Sequence, residues 1–414
     1  MNRIQNQTAQ GGSRAKRTLC AVLLAAVSVV LLGGCSIANT LLDTTQTPQA
    51  TPGSEEVVVL NDAGQPLSSA TPEAGAASSA ISEGTAAPEA TAKNETLTVS
   101  PSTGRALPEG TVYRPLLAVI DNAAQARPQT GLMLADVVYE FPLDRVDHGT
   151  RFLAVFSDVL PLRIGPIRTS RAYLADTALE WGGLYVSLGD PEQAGSNYPL
   201  LSASGLPDAV QNKGTAADFF YRDKTVTSIE EHTLFFKALE YAEATGGYSA
   251  TPCTQRFQFQ SDVTYKKGKP FSSVGIPFSS SDSDHVVFTY DAASGRLIRS
   301  DKNSKNVLGE SKSLTPTENV VGYVSEPITA QNLIVQYISV SSYDTMYRSI
   351  TVTGNGDCDY FINGRYVTGT WSRPTLADPT TYKLYDGSII RLEPGNTWIE
   401  MMPSTRTIKI RYEG

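Results

Sequence analysis

The stretch from Ser36 to about Leu107 limits how much of this chain can fold, because it consists mainly of Ala, Thr, Ser, Pro and Gly. Its apolar side chains are too few and too irregularly spaced to offset the conformational entropy lost on folding. We therefore predict a disordered tether over residues 35–110 and a folded head that begins near Thr111. The run Val57–Leu60 is a short β-prone exception. A tether of roughly 70 residues has a root-mean-square reach of about 45 Å.

Residues 1–34 have the features of a lipoprotein signal peptide. Basic residues precede an apolar run of fourteen residues, Leu19–Leu32. Such a run fits a signal-peptide core and is short for a membrane span of about 20 residues. It leads into Gly33-Gly34-Cys35, which resembles a bacterial lipobox, so we predict lipidation at Cys35 and a head on the extracytoplasmic face of the cell membrane. The alternatives are an uncleaved anchor helix and a plain secretory signal, and both also place the head outside the cytoplasmic membrane.

The balance of charge argues against nucleic acid as a partner. The formal net charge is −8, and removal of residues 1–34 with their four basic side chains lowers it to −12. Nucleic-acid binding depends on neutralisation of phosphates by Lys and Arg, so this class of function is excluded. Three histidines and four scattered cysteines also make a zinc finger or a His-rich metal site a poor fit. We expect neither a metal nor a cofactor.

The first half of the head, residues 111–265, is predicted to mix strands with helices. Apolar runs predict strands at Leu116–Ile120, Ala135–Glu140, Arg151–Phe156 and Gly183–Leu188. Ser170 is a good N-cap for a helix in which apolar positions from Leu174 to Leu179 recur at helical spacing. A second helix is predicted across Ser228–Ala244, where apolar side chains recur at helical intervals. This half is therefore a mixed α/β domain.

A stretch rich in Ser and Gly separates this half from the next, and we place a linker there at residues 266–284. Residues 285–414 are predicted to form a mostly antiparallel β-domain, either a sandwich or a curled barrel. Asn363-Gly364 and Asp386-Gly387 each lie between two β-prone runs and are strong hairpin signals. The predicted fold class is α+β, with a mixed α/β domain followed by a β-rich domain.

Ordered motifs run through the whole head. They are Ala126–Leu132, Ala135–Glu140, Thr150–Leu153, Gly165–Arg171, Phe220–Asp223, Gly369–Ser372 and Gly395–Glu400. Over about residues 111–414 these motifs resemble those of the YerB-type bacterial lipoproteins. The resemblance implies a two-domain, membrane-anchored extracytoplasmic protein of unassigned biochemistry. The chain departs from the family pattern at Ser187–Asp190, where the family tends to show a histidine, and at His232, which lacks the flanking Pro and Asn. Both departures weaken a catalytic role based on histidine.

Several arginines stand out in the first half of a chain that is acidic overall. Arg168 and Arg171 flank Ser170 at the predicted start of a helix, where free N–H groups attract anions. Guanidinium groups add bidentate recognition of carboxylate or phosphate. The predicted ligand-binding residues are Arg127, Arg151, Arg163, Arg168, Ser170, Arg171 and Arg222. The alternative is that these arginines lock loops together by pairing with Asp136, Glu140, Asp176 and Asp223.

His232 and Asp223 form the candidate catalytic pair, and together with Glu231 they could make a general base or part of a metal site. No Gly-x-Ser-x-Gly or His-Glu-x-x-His motif accompanies them. Cys253 and Cys358 are the thiols that remain after lipidation of Cys35. A disulfide between them closes a loop of about 100 residues and contributes roughly 4–5 kcal/mol in the entropic model. Free thiols are equally consistent with the sequence.

Two classes of function remain. The first is a binding or accessory module of the bacterial cell envelope, with an arginine-lined site for an anion or a protein loop. Its partners are then the membrane, through the lipid, and a cell-wall assembly protein or a cell-wall fragment. The second is an envelope hydrolase or transferase that acts on a peptidoglycan or phosphate-containing substrate. The enzyme hypothesis fails if His232 and Asp223 lie beyond hydrogen-bond reach of each other and are also buried away from the arginines.

Overall fold

Strands far outnumber helices in the computed structural model. It describes residues 59–60, 97–143, 149–190, 205–211, 214–248, 253–255, 257–278, 285–302, 308–317, 322–342 and 347–413. The predicted signal peptide, Cys35 and most of the predicted tether lie outside these residues. Within them, no helix is long and apolar enough to cross a membrane.

The elements divide into those of the first and second halves of the head. Up to residue 265 the elements are β1 Val59–Leu60, β2 Leu116–Asp121, β3 Gln129–Thr130, β4 Val137–Pro142, β5 Thr150–Phe156, α1 Ala172–Ala178, β6 Leu184–Ser187, β7 Asp208–Val210, β8 Phe220–Arg222, β9 Leu234–Phe236, α2 Ala238–Ala244, β10 Gln258–Phe259 and β11 Thr264–Tyr265. Short 3-10 turns lie at Ala124–Ala126, Leu132–Leu134, Gly214–Phe219 and Glu230–His232. The later strands are β12 Lys269–Pro277, β13 His285–Asp291, β14 Arg296–Lys302, β15 Leu308–Glu310, β16 Lys312–Pro316, β17 Tyr323–Pro327, β18 Thr329–Ala330, β19 Asn332–Ser342, β20 Arg348–Thr351, β21 Gly354–Ile362, β22 Arg365–Arg373, β23 Thr381–Leu384, β24 Arg391–Leu392, β25 Thr397–Pro403 and β26 Lys409–Tyr412.

One run of hydrogen-bonded strands crosses both halves, in the order β7-β6-β2-β5-β4-β25-β19-β21-β22-β23. The two halves meet where β4 pairs with β25 in parallel, in register from Val137 opposite Thr397 to Glu140 opposite Glu400. Within the second half β25 also runs parallel to β19, whereas the other strand pairs described there are antiparallel, in line with the mostly antiparallel domain predicted from the sequence. We call the β4–β25 pairing the seam.

A second layer of strands packs over this sheet, in the order β26-β12-β13-β14. Strand β2 shows why the sheet is buried on both faces. Its Leu116, Ala118 and Ile120 join one apolar cluster, and Leu117 and Val119 join the other. Strands covered on both faces read as continuous apolar runs in the sequence rather than as alternating patterns.

The folded head begins earlier than the predicted Thr111. Val99 pairs with Ala106 in an isolated bridge, and the side chains of Ser102 and Thr103 are fully buried. Ser102 Oγ donates to Asp136 Oδ2 over 3.1 Å, and Thr103 Oγ1 donates to Asp158 Oδ2 over 2.5 Å. Hydrogen bonds to one buried and one partly buried carboxylate hold this polar segment in place, and a search for apolar side chains does not detect them.

A helix forms after Ser170 as predicted but with a different N-cap, the helix predicted across Ser228–Ala244 forms only at its end, and the α+β fold class holds only in part. Helix α1 has seven residues and begins at Ala172, with Arg171 rather than Ser170 at the N-cap position and no side-chain cap bond. Within Ser228–Ala244 only the last turns are α-helical, because Leu234–Phe236 pairs with β8 as a strand. The two described α-helices are short, so the first half is itself mainly strands.

The linker prediction is wrong, whereas both hairpin predictions in the second half are confirmed. Residues 269–277 of the predicted linker form strand β12, which pairs with β13, β22 and β26. The Asn363-Gly364 hairpin is confirmed, with φ of 47° and 70° joining β21 to β22, as a type I′ turn requires. Asp386-Gly387 also forms its turn, with Leu384 N donating to Ser388 O over 2.8 Å.

Candidate functional site

Asp121 is the last residue of β2, at the edge of the sheet where the parallel strands β2 and β6 both end. Ligands of open α/β sheets bind at the carboxyl ends of such strands. The Asp121 side chain is only 4% exposed. Burial opposes its ionisation, but the hydrogen bond from His232 and the positive charge of Arg151 outweigh burial and lower the pKa of this carboxyl. Asp121 is therefore a buried anion.

His232 donates to this carboxylate from the 3-10 turn that precedes β9. Its Nδ1 lies 2.6 Å from Asp121 Oδ2, and its other ring nitrogen, Nε2, lies 3.4 Å from Glu231 Oε1. The His232 side chain is 7% exposed, whereas that of Glu231 is 54% exposed. A carboxylate on Nδ1 fixes the tautomer and the orientation of the imidazole, which leaves Nε2 facing the more open side.

Arg168 reaches the same carboxylate from the loop before α1. Its backbone N–H donates to Val119 O over 2.9 Å, which holds the loop against β2. Arg168 Nε lies 3.3 Å from Asp121 Oδ2, and Nη2 donates to Glu231 Oε2 over 2.8 Å. Arg168 thus lies between a buried and an exposed carboxylate, at the entrance to the cluster.

Arg151 completes the group from β5, where it is the register partner of Asp121. Its side chain is buried, and Nη1 donates to the carbonyl of Thr169 over 2.9 Å. Its Nε has no hydrogen-bond partner among the described residues. Burial and the positive charge of Arg171 lower the pKa of Arg151 to about 10. We define the Asp121 cluster as Asp121, Arg151, Arg168, Glu231 and His232.

Ser170 and Arg171 border the cluster but do not form the predicted anion site at a helix start. The Ser170 hydroxyl is buried 2.8 Å from the hydroxyl of Tyr185. Arg171 is buried, donates to the carbonyl of Ser170 and stacks over Tyr347 with its guanidinium carbon 5.1 Å from the ring centroid. Helix α1 is too short to supply a strong dipole, so side chains carry the electrostatics here.

The other three arginines predicted to bind a ligand are not part of the Asp121 cluster. Arg163 donates to Asp223 Oδ2 over 2.8 Å and stacks on Phe235 and Tyr323, and this pairing is the structural alternative considered for it. Arg222 donates to Glu230 O and Thr233 Oγ1. Arg127 pairs with Asp301 and with Asn122, whose Oδ1 accepts from Arg127 Nε over 3.2 Å.

The proposed pairing of His232 with Asp223 is wrong, because His232 is held by Asp121 and Asp223 by Arg163. Glu231 was named beside His232 from the sequence, but Asp121 was missed. The available signal was an acid directly after the apolar run Leu116–Ile120, where a side chain reaches the edge of a sheet. It gave no indication of a partner, since Asp121 and His232 lie 111 residues apart in the chain.

Cys253 and Cys358 both remain thiols, so the disulfide considered from the sequence is not formed. Burial raises the pKa of the Cys358 thiol well above its usual range, which keeps it a neutral core group. Among the described residues, no group of three His, Cys, Asp or Glu side chains could hold a metal ion.

The chain as a whole matches a two-domain family of uncharacterised proteins. Residues 102–249 match the N-terminal domain of the family described as "Protein of unknown function (DUF3048)", and residues 274–399 match its C-terminal domain. The chain belongs to this family, of the YerB type that the sequence motifs indicated.

The YerB protein of Bacillus subtilis is similar to this chain both in sequence and in structure. "Putative lipoprotein YerB" of Bacillus subtilis strain 168 is 24% identical over 287 residues, which cover 69% of this chain and 80% of that protein. The crystal structure of the YerB protein from Bacillus subtilis superimposes with a TM-score of 0.58 at 23% identity, covering 75% of this chain and 99% of that one. At this identity the superposition establishes a shared fold.

Proposed function

We propose that this protein is a lipid-anchored accessory module of the cell envelope whose head binds an anionic group at the Asp121 cluster. One observation carries the proposal: Arg151 is buried beside Arg168 and Arg171, and its guanidinium donates to a carbonyl while its Nε lacks a partner among the described residues. A carboxylate or phosphate at this entrance would offset the cost of the buried positive charge. A cell-wall fragment or an acidic loop of a cell-wall assembly protein carries such a group.

The anion site predicts a stabilising effect of small anions. At tenfold the dissociation constant, phosphate or acetate should raise the free energy of unfolding by about 1.4 kcal/mol. Arg168→Ala should remove most of this gain, and Arg168→Lys should restore part of it because lysine keeps the charge but not the bidentate geometry. The measurement is a thermal-shift titration of the folded head at constant ionic strength.

Arg411→Ala is the matched control, because Arg411 is exposed on β26 in the other half. This variant should respond to anions as the wild type does. An equal response of the wild type and Arg168→Ala would contradict the site, since the effect would then come from salt in general.

Two observations support the proposed lipid anchor: the signal sequence before Cys35, and the similarity of the chain to the Bacillus protein named as a putative lipoprotein. Cys35→Ala should release the protein from membranes or stall its precursor, because the thiol is the atom that takes the lipid. Fractionation of cells that express the full chain, with detection in membrane and soluble fractions, tests this. Normal processing and unchanged membrane retention of the variant would rule out lipidation at Cys35.

A second candidate function follows from the short contact between His232 and Asp121. An imidazole held by a buried carboxylate on Nδ1 has the geometry of a general base acting through Nε2. In this case the protein is an envelope hydrolase that activates water against a substrate held by Arg168. His232→Gln should then abolish hydrolysis of peptidoglycan fragments while leaving anion stabilisation in place, which separates the two functions.

A further inference from the structure

Two glutamates face each other across the seam. Glu140 on β4 and Glu400 on β25 are register partners in parallel strands, so their side chains point to the same side of the sheet. Both are completely buried, and so is Arg299 on β14. The Arg299 guanidinium packs against two aromatic rings that contact each other, with its central carbon 5.5 Å from the centroid of Phe152 and 5.4 Å from that of Trp398.

Hydrogen bonds are distributed unequally between the two carboxyl groups. Glu140 accepts from Arg299 Nη2 over 2.9 Å and from Arg299 Nε over 3.2 Å. It also accepts from Thr150 Oγ1 over 2.5 Å and from Asn122 Nδ2 over 3.3 Å. Neither carboxyl oxygen of Glu400 has a hydrogen-bond partner among the described residues. An ionised carboxylate without a donor in a dry core is far too costly to persist.

Among the described residues, Arg299 is the cation that acts on Glu400, while Arg127 acts on Glu140 from further away. Arg299 is directed to Glu140, and its Nη1 lies 3.9 Å from Asp301 Oδ2, which also pairs with Arg127 at the periphery. On the other side of Glu400, its register partner on β19 is Val335, which carries no charge. Two carboxyl groups therefore share one buried arginine.

We propose that Glu400 carries a proton in the native protein and donates it in a hydrogen bond to Glu140, forming a proton-dependent latch across the seam. This arrangement leaves one negative charge opposite Arg299 and gives both carboxyl groups a partner. Burial raises the pKa of the Glu400 carboxyl well above its usual range, and the neighbouring charge of Glu140 acts in the same direction. Ionisation of Glu400 in alkaline medium places a second charge in the core and weakens the joint between the two halves.

The pH dependence has a defined sign. Above the unfolded pKa of about 4.3 the native state holds a proton that the unfolded state has lost. The contribution of Glu400 to the free energy of unfolding is therefore fully present below the unfolded pKa. It falls as pH rises from there towards the native pKa. The unfolding equilibrium constant rises tenfold per pH unit in this window, about 1.4 kcal/mol per unit.

Glu400→Gln tests the latch, because glutamine still donates to Glu140 but does not titrate. We measure urea unfolding of the wild type, Glu400→Gln and the exposed control Glu326→Gln from pH 5 to 9. The ratio of the unfolding constants of the wild type and Glu400→Gln should rise by up to tenfold per pH unit, whereas the control should follow the wild type. Hydrogen exchange of β4 and β25 should accelerate with pH in the wild type but less in Glu400→Gln.

The wild-type protein alone gives an independent test if the variant fails to fold. An infrared spectrum at pH 8 should contain the carbonyl stretch of a buried protonated carboxyl group, which is absent from the spectrum of the unfolded chain at the same pH. Burial raises the pKa of Asp136 to about 7 and that of Asp359 to about 6, so both of these carboxyl groups are mainly ionised at pH 8. Parallel stability profiles of the wild type and Glu400→Gln, or the absence of this band, would overturn the proposal.

Discussion

Arg299→Met should lower the free energy of unfolding by about 3–5 kcal/mol, because it leaves the Glu140 carboxylate buried without its counter-charge. The arginine is fully buried, and Glu140 accepts from both its Nε and its Nη2. Methionine fills much of the volume that the arginine occupies against Phe152 and Trp398. The loss of stability therefore reflects the missing charge rather than a cavity. Urea unfolding followed by tryptophan fluorescence measures the effect, since Trp398 borders the site.

Arg296→Met is the matched control on the same strand. Arg296 is partly buried, and its donors go to neutral acceptors, Thr329 Oγ1 and Asn396 Oδ1. We expect its loss to cost about 1 kcal/mol. Adding Glu140→Gln to Arg299→Met should recover part of the stability, because the uncompensated charge is then gone. A loss below 1 kcal/mol in Arg299→Met would show that Glu140 is not held as an anion by this arginine.

Asp121→Asn should cost about 3 kcal/mol at neutral pH. Asparagine can still accept from His232, but Arg151 and Arg168 lose the buried negative charge that offsets their own. The pKa of Asp121 is lowered in the folded protein. The contribution of Asp121 to the free energy of unfolding is therefore fully present above the unfolded pKa of about 3.9. It is lost as pH falls through the lower native pKa. The difference between wild type and variant should shrink in acid.

Phosphate should stabilise Asp121→Asn more than it stabilises the wild type, because the Asp121 cluster then has greater net positive charge. Denaturant unfolding at pH 3 and pH 7, with and without phosphate, measures both effects. Asp386→Asn is the control, since Asp386 lies in an exposed turn where asparagine is equally suitable. A variant as stable as the wild type at pH 7 would show that Asp121 is not the counter-charge of this cluster.

Local pattern was sufficient for much of the secondary structure. The run Leu116–Ile120 is apolar at each position and forms a strand buried on both faces. Asn363-Gly364 forms a turn because both residues tolerate positive φ, and this preference is present in the dipeptide itself. The run Leu234–Phe236 was ambiguous, since short apolar runs fit a helix as well as a strand until a partner strand is known.

The arginines of the first half show the limit of the sequence in predicting the candidate site. The sequence identified Arg151, Arg168 and His232 as candidates, and the structure brings these three together around Asp121. It did not separate them from Arg163, which is paired with Asp223. Side chains of one type look alike in a sequence, and what distinguishes them is the carboxylate that the fold places next to each.

The sequence by itself determined many of the strands, where two tight turns lie, and that the chain carries the signals of an anchored two-domain family protein. These properties depend on neighbouring residues, whose hydrophobicity and backbone preferences act locally. Only the tertiary structure decided that β4 pairs with β25 and that Glu140 meets Glu400, with some 260 residues of chain between them. Register across such a distance is set by the packing of both sheet faces together, and the resulting juxtaposition of charges has no local signature.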